Sequence, residues 1–139
     1  MHLTKVTLKN YGVYRDKVEF DLTTTPDKPV ILIGGPNGAG KTTLFESILV
    51  GFYGQSYFDK KTTRKEYEKF LGNKVHRYLG TTAAADSTSI VVDFKFYHNG
   101  IVDDYTVDRT WYDNDGRLTE ELTIKNNNTR RNSVEKQHG

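Results

Sequence analysis

Val30-Ile31-Leu32-Ile33-Gly34-Gly35-Pro36-Asn37-Gly38-Ala39-Gly40-Lys41-Thr42-Thr43-Leu44 is the stretch on which the reading of this chain turns. Four apolar, mostly β-branched residues read as a strand buried on both faces, of the kind found in sheets covered by helices. Gly35 to Thr42 then fits the pattern Gly-x4-Gly-Lys-Ser/Thr. Behind it, Leu44, Ile48, Leu49 and Phe52 recur at helical spacing, and Gly54 stands where a helix would stop. Strand, glycine-rich loop and helix occur in the order that a phosphate-binding loop requires. Glycines at 35, 38 and 40 let successive N–H groups converge on phosphate oxygens at a helix amino terminus. Lys41 would lie against the β- and γ-phosphates, the Thr42 hydroxyl would take one position on Mg²⁺, and Thr43 would sit by the α-phosphate. The expected site is therefore Gly35, Pro36, Asn37, Gly38, Ala39, Gly40, Lys41, Thr42 and Thr43, with ATP and Mg²⁺ as its cofactors.

Outward from this centre the chain alternates. Thr4, Val6 and Leu8 interleave with lysines and threonine, and Val18, Phe20 and Leu22 interleave with charged residues. Two half-exposed strands with a turn at Asn10 to Tyr14 predict a hairpin. Downstream, Thr63 and Glu66 form a capping box before Tyr67, Phe70, Leu71 and Tyr78, which predicts a helix to about Leu79 with a weak point at Gly72. Ile90-Val92-Phe94-Phe96, Tyr105-Val107-Arg109-Trp111 and Leu118-Leu122-Ile124 each share a face, with Asn99-Gly100 and Asp115-Gly116 as turns. They predict an antiparallel meander whose aromatic residues serve the core. The fold class expected is α/β: a P-loop domain with a central strand–loop–helix unit and a β meander. Residues 1–124 are expected to form this lobe, and 125–139 a polar tail with little order.

Composition narrows the rest. The chain has 139 residues, enough for one domain, with 35% apolar and 27% charged residues. Cysteine is absent, so disulfides and thiolate metal sites are excluded, and the four histidines show no ligand spacing. No apolar run approaches membrane-spanning length, and a cytoplasmic location without membrane partners is the expectation. The net charge of +2 hides uneven segments: Asp59 to Leu79 balances to +4, Gly80 to Ile124 to −6, and Lys125 to Gly139 to +3. A basic segment beside the loop suits nucleic-acid phosphates or simply a solvated helix face.

The run Leu3 to Asn10, Tyr11-Gly12-Val13-Tyr14, Val18 to Leu22, and above all Gly-x-Asn-Gly-x-Gly-Lys-Thr-Thr followed by Ile48 to Gly54 resembles the amino-terminal lobe of SMC-like ATPases of chromosome maintenance and double-strand-break repair. Within them, Asn10 to Arg15, Asp108 to Trp111 and Glu120-Glu121-Leu122 are most similar to the DndD type, which serves DNA phosphorothioation. The resemblance implies an ATPase head that dimerises with a second head on ATP binding, carries a coiled coil and acts on DNA with other proteins of a DNA-modification system. A repair-type or RecF-like head, or a nucleotide-gated interaction module without catalysis, is the alternative. Gly12 occupies the position at which many repair-type members carry an arginine, and Arg15 lies close enough to substitute. The Q-loop glutamine, signature motif, Walker B strand and switch histidine that the family needs are not recognisable: Gln55, Gln137 and Asp103-Asp104 lack the required context. The chain therefore reads as the ATP-binding part of a longer ATPase, able to bind without turning over.

Overall fold

The computed structural model describes residues 1–34, 41–75, 86–114, 117–127 and 134–138. Strand β1 (His2–Tyr11) turns at Gly12 into β2 (Tyr14–Asp21). Helix α1 (Lys41–Tyr53) runs into a 3-10 turn (Gly54–Tyr57), and α2 (Arg64–Lys74) follows. The remaining strands are β3 (Ser87–His98), β4 (Ile101–Asn114), β5 (Arg117–Asn126) and β6 (Val134–His138). All six strands form one antiparallel sheet in the order β2-β1-β3-β4-β5-β6.

The register explains the core. Val6, Val92, Val107 and Ile124 lie in one row across the sheet, and Leu8, Ile90, Arg109 and Leu122 in the next. Because strand side chains alternate, both rows point to the same face. Helix α1 packs on that face at β3 and β4, and α2 reaches β5. Val6, Leu8, Leu44, Val50, Ile90, Val92 and Trp111 are buried there. The other face carries Lys5, Thr7, Asp93, Thr106 and Asp108, with Lys5 and Asp93 4.0 Å apart, as suits an antiparallel sheet wetted on one side.

The hairpin and the meander form as expected, but Phe96, placed on the core face with Ile90 and Val92, is 42% exposed because β3 runs on past the helices. Asn99 and Gly100 have φ of 47° and 72°, the paired left-handed conformations of a tight hairpin turn. The turn at Asp115-Gly116 lies outside the described residues. Helix α2 begins as the capping box requires: Thr63 is the N-cap and its hydroxyl accepts from Glu66 N at 3.2 Å. It ends at Lys74, and residues 76–80 lie outside the described ones.

Two expectations need correction. Val30 to Ile33 forms no strand: the four residues are exposed, Leu32 at 91%. A strand buried on both faces needs ladder partners on each side. Among the described residues every ladder joins the six strands of the antiparallel sheet, and none includes this segment. Within α1, Leu49 faces solvent, while Ser47, Val50 and Gly51 join Leu44 in facing the sheet. The close approach of the helix at Gly51 sets this rotation: a Cβ there would stand 2.8 Å from Ile90 Cγ2. Among the described residues beyond 124, β5 runs on to Asn126 and β6 pairs with it from Val134↔Lys125 to His138↔Glu121. The open edge of β5 offers that strand a ladder irrespective of its polarity.

Candidate functional site: the amino end of helix α1

Helix α1 opens at Lys41, directly after the glycine-rich run. The site residues Gly35, Pro36, Asn37, Gly38, Ala39 and Gly40 lie outside the described residues. Lys41, Thr42 and Thr43 form the first helical turn, where backbone N–H groups have no partner inside the helix. The first turn carries no acidic residue, so nothing on the helix itself competes with an anion for its positive end. Thr42 is exposed, whereas Lys41 and Thr43 are half-buried.

Thr43 is held from the side by β1's turn. Gly12, at φ +58°, comes so close that a Cβ would lie 3.0 Å from Thr43 Cγ2. A larger residue at this position would both strain the backbone and press on the first turn of α1. The same corner is tied to α2: Gly12 N donates to Lys74 O, Tyr11 bridges to Val75, and Lys74 Nζ lies 3.1 Å from Glu46 Oε1. Thr43 and Glu46 are one turn apart on α1. The hairpin end, the start of α1 and the end of α2 thus meet in one place. Tyr11 is fully buried at this corner, and burial, with Glu46 nearby, pushes its phenol well above the usual range, so it stays neutral. Arg15, for which a stand-in cation and an exposed hairpin charge were equal alternatives, is a solvent-facing hairpin residue 3.7 Å from Asp16.

The far end of α1 is held by a buried ionic cluster. Arg109 Nε donates to Gly51 O at 3.1 Å and Nη2 to Phe52 O at 3.4 Å. Its Nη1 donates to Glu120 Oε1 at 3.2 Å, an oxygen that also accepts from Tyr67 Oη at 2.6 Å and Trp111 Nε1 at 2.9 Å. Arg64 Nη1, from the first turn of α2, reaches Glu120 Oε2 at 3.2 Å. Burial pushes the Glu120 carboxyl up, but donation from Tyr67 and the Arg109 and Arg64 charges outweigh it, and the net direction is downward. Tyr67 is pushed well above its usual range by burial and by Glu120.

This cluster escaped the sequence reading, which took Tyr105, Val107, Arg109 and Trp111 as one strand face. The signal was present: an arginine inside an otherwise apolar alternation requires a buried counter-charge. A cleft of about 770 Å³ lies between α2 and the β4–β5 end, and Arg64, Lys69, Trp111 and Arg117 line it. Among the described residues none of α1 lines it, so it is separate from the amino end of that helix.

What remains of the site fits a nucleotide. An N-terminal turn free of carboxylates, a lysine and an exposed threonine hydroxyl match the donors that a triphosphate and its cation use. Among the described residues, no helix is long and apolar enough to cross a membrane.

The AAA domain family matches residues 5–138. The chain is 34% identical over 108 residues to the DNA double-strand break repair Rad50 ATPase of Archaeoglobus fulgidus, covering 77% of this chain and 9% of that protein. It is 32% identical over 62 residues to the SbcC component of the SbcCD nuclease of Vibrio cholerae, covering 45% of this chain and 6% of that protein. The chain spans less than a tenth of the length of these relatives. With the glycine-rich run feeding a helix packed on an antiparallel sheet, this protein belongs to the AAA domain family and, within it, is similar to the SMC-like ATPases.

Proposed function

We propose that this chain is the ATP-binding amino-terminal lobe of an SMC-like ATPase that acts on DNA. The observation that carries the reading is the helix opening at Lys41, free of acid in its first turn, with Thr42 exposed and Thr43 seated against Gly12. Lys41 contributes a point charge to the β- and γ-phosphates, and Thr42 contributes a hydroxyl ligand to Mg²⁺. Gly35 to Gly40 would supply backbone N–H groups to the phosphates, and Thr43 would serve the α-phosphate. Bound Mg²⁺ supplies charge neutralisation at the phosphate oxygens. The chain's own residues bind and orient; activation of the attacking water falls to residues outside it. The exposed run Val30 to Ile33 supports the same division, because its ladder awaits strands from the remainder of a longer ATPase. A dimer of two such heads on DNA completes the proposal.

For the DNA reaction, the likeness of Asn10 to Arg15, Asp108 to Trp111 and Glu120 to Leu122 to DndD-type ATPases supports a role in DNA phosphorothioation. Arg109, Trp111 and Glu120 are packing residues here, so that likeness bears on how the lobe is built more than on its substrate. A repair function is the second reading, supported by the names of the two relatives.

The test is calorimetric titration of ATP with Mg²⁺, with hydrolysis followed on the same sample. The expected result is binding without turnover, lost in Lys41→Ala at an unchanged melting temperature. Retained affinity in Lys41→Ala would overturn the site. Turnover abolished by that substitution would mean that the chain holds a complete catalytic centre.

A further inference from the structure

We propose that Arg109, seated on Glu120, is the positioning residue of the phosphate-binding helix: it fixes α1 from its carboxyl end and thereby sets where Lys41, Thr42 and Thr43 stand. This rests on the nucleotide reading above. Helix α1 has 13 residues, so its two ends are about 18 Å apart. A helix of that length behaves as a rod, and a shift or tilt at its last turn is carried to its first. The last turn presents its carbonyls at the negative end of the helix, and α1 carries no basic residue there. The guanidinium of Arg109 meets both carbonyls from the sheet side, with donors 3.1 Å and 3.4 Å away, and places a buried positive charge at the negative end of the helix.

The anchor is specific in geometry. A guanidinium presents several donors in one plane, which lets Arg109 bond two helix carbonyls and Glu120 at once; a lysine ammonium cannot span them. Gly54 closes the seat: a Cβ there would lie 2.6 Å from Arg109 Nη1 and 2.8 Å from Cζ. Glu120 is itself fixed by Tyr67 and Trp111, whose rings are fully buried. Arg64, bonded to the other Glu120 oxygen, extends the frame to α2. Through Lys74 and Glu46 the end of α2 also reaches the start of α1. Both ends of the phosphate-binding helix are therefore referred to one frame, with Arg109 as its joint.

The experiment compares ATP affinity, measured with Mg²⁺ well below the melting temperature, with thermal melting, for the full chain and for Arg109→Lys and Gly54→Ala. Neither substitution touches the residues that hold nucleotide. A merely stabilising role lowers melting and leaves the affinity of the folded chain unchanged. The expected result is a loss of ATP affinity of about fivefold or more in both variants, with helical circular dichroism intact at the assay temperature. Affinity within twofold of the parent in the folded variants overturns the proposal. If Arg109→Lys fails to fold, Gly54→Ala decides alone, since it displaces the guanidinium without removing it. A parent chain that binds no ATP sinks the nucleotide reading first and the positioning role with it; a parent that binds as tightly as its variants sinks only the latter.

Discussion

Glu120 illustrates what a single buried carboxylate demands. Removed from water alone it would take up a proton; here four donors meet its two oxygens, and it stays ionised. The shortest of these bonds comes from Tyr67 at 2.6 Å. Tyr67→Phe removes that donor without changing the ring that packs on Phe58 and under Arg64. A hydrogen bond to a charged acceptor in such a place contributes about 2 kcal/mol. Urea denaturation should show a loss of that size, and a variant as stable as the parent would mean that water replaces the phenol at Glu120.

Among the elements, α1 has the most closely fitted seat. Gly51 lies against Ile90 and Val92, at 2.8 Å and 3.3 Å from an added Cβ, so the helix backbone rests nearly on β3. In an exposed helix Gly→Ala gains about 1 kcal/mol from propensity. Here the methyl would push into a fully buried isoleucine, and overpacking of that kind costs about 2 kcal/mol. Gly51→Ala should therefore be less stable by about 1 kcal/mol in urea denaturation; a more stable variant would show that α1 can lift from the sheet freely. The opposite side of the same helix presents Phe45, Leu49 and Tyr53 to solvent at four-residue spacing. One face of α1 is thus committed to this sheet and the other is not.

At the scale of the whole molecule, the acid response follows from the cluster that joins both helices to the sheet. The folded Glu120 carboxyl lies below its ordinary value, and the unfolded value is about 4.3. The contribution is therefore present in full above about pH 4.3 and is lost as pH falls through the depressed folded value. Stability of the parent should be flat from about pH 7 to 5 and fall below about pH 4. Glu120→Gln should be less stable near neutrality and decline less on acidification. An equal decline in both chains would assign the acid response to other carboxylates. Glu19 and Asp21 are also shifted down, by Lys17 and by the Thr23 N–H, but both are fully exposed and solvent screens them.

What the sequence by itself determined is whatever depends on local period and spacing. The β1–β2 hairpin, the Thr63 cap, the Asn99-Gly100 turn and the start of α1 just behind the glycine-rich run could all be read there, because each rests on residues within a few positions of one another. Gly35 to Thr43 fits its spacing pattern for the same reason, and the proposal that it holds a nucleotide rests on that pattern. Only the tertiary structure decided the rest. Val30 to Ile33 reads as a buried strand, but burial is a property of neighbours, and among the described residues the segment joins no ladder and stays exposed. The turn that seats Gly12 on Thr43, the rotation of α1 that buries Gly51 and exposes Leu49, and the convergence of Arg64, Tyr67, Arg109, Trp111 and Glu120 join residues up to 56 positions apart. Periodicity states which face of an element is apolar; which carboxylate meets a buried arginine is set by the register of β4 on β5 and by the helices laid across them.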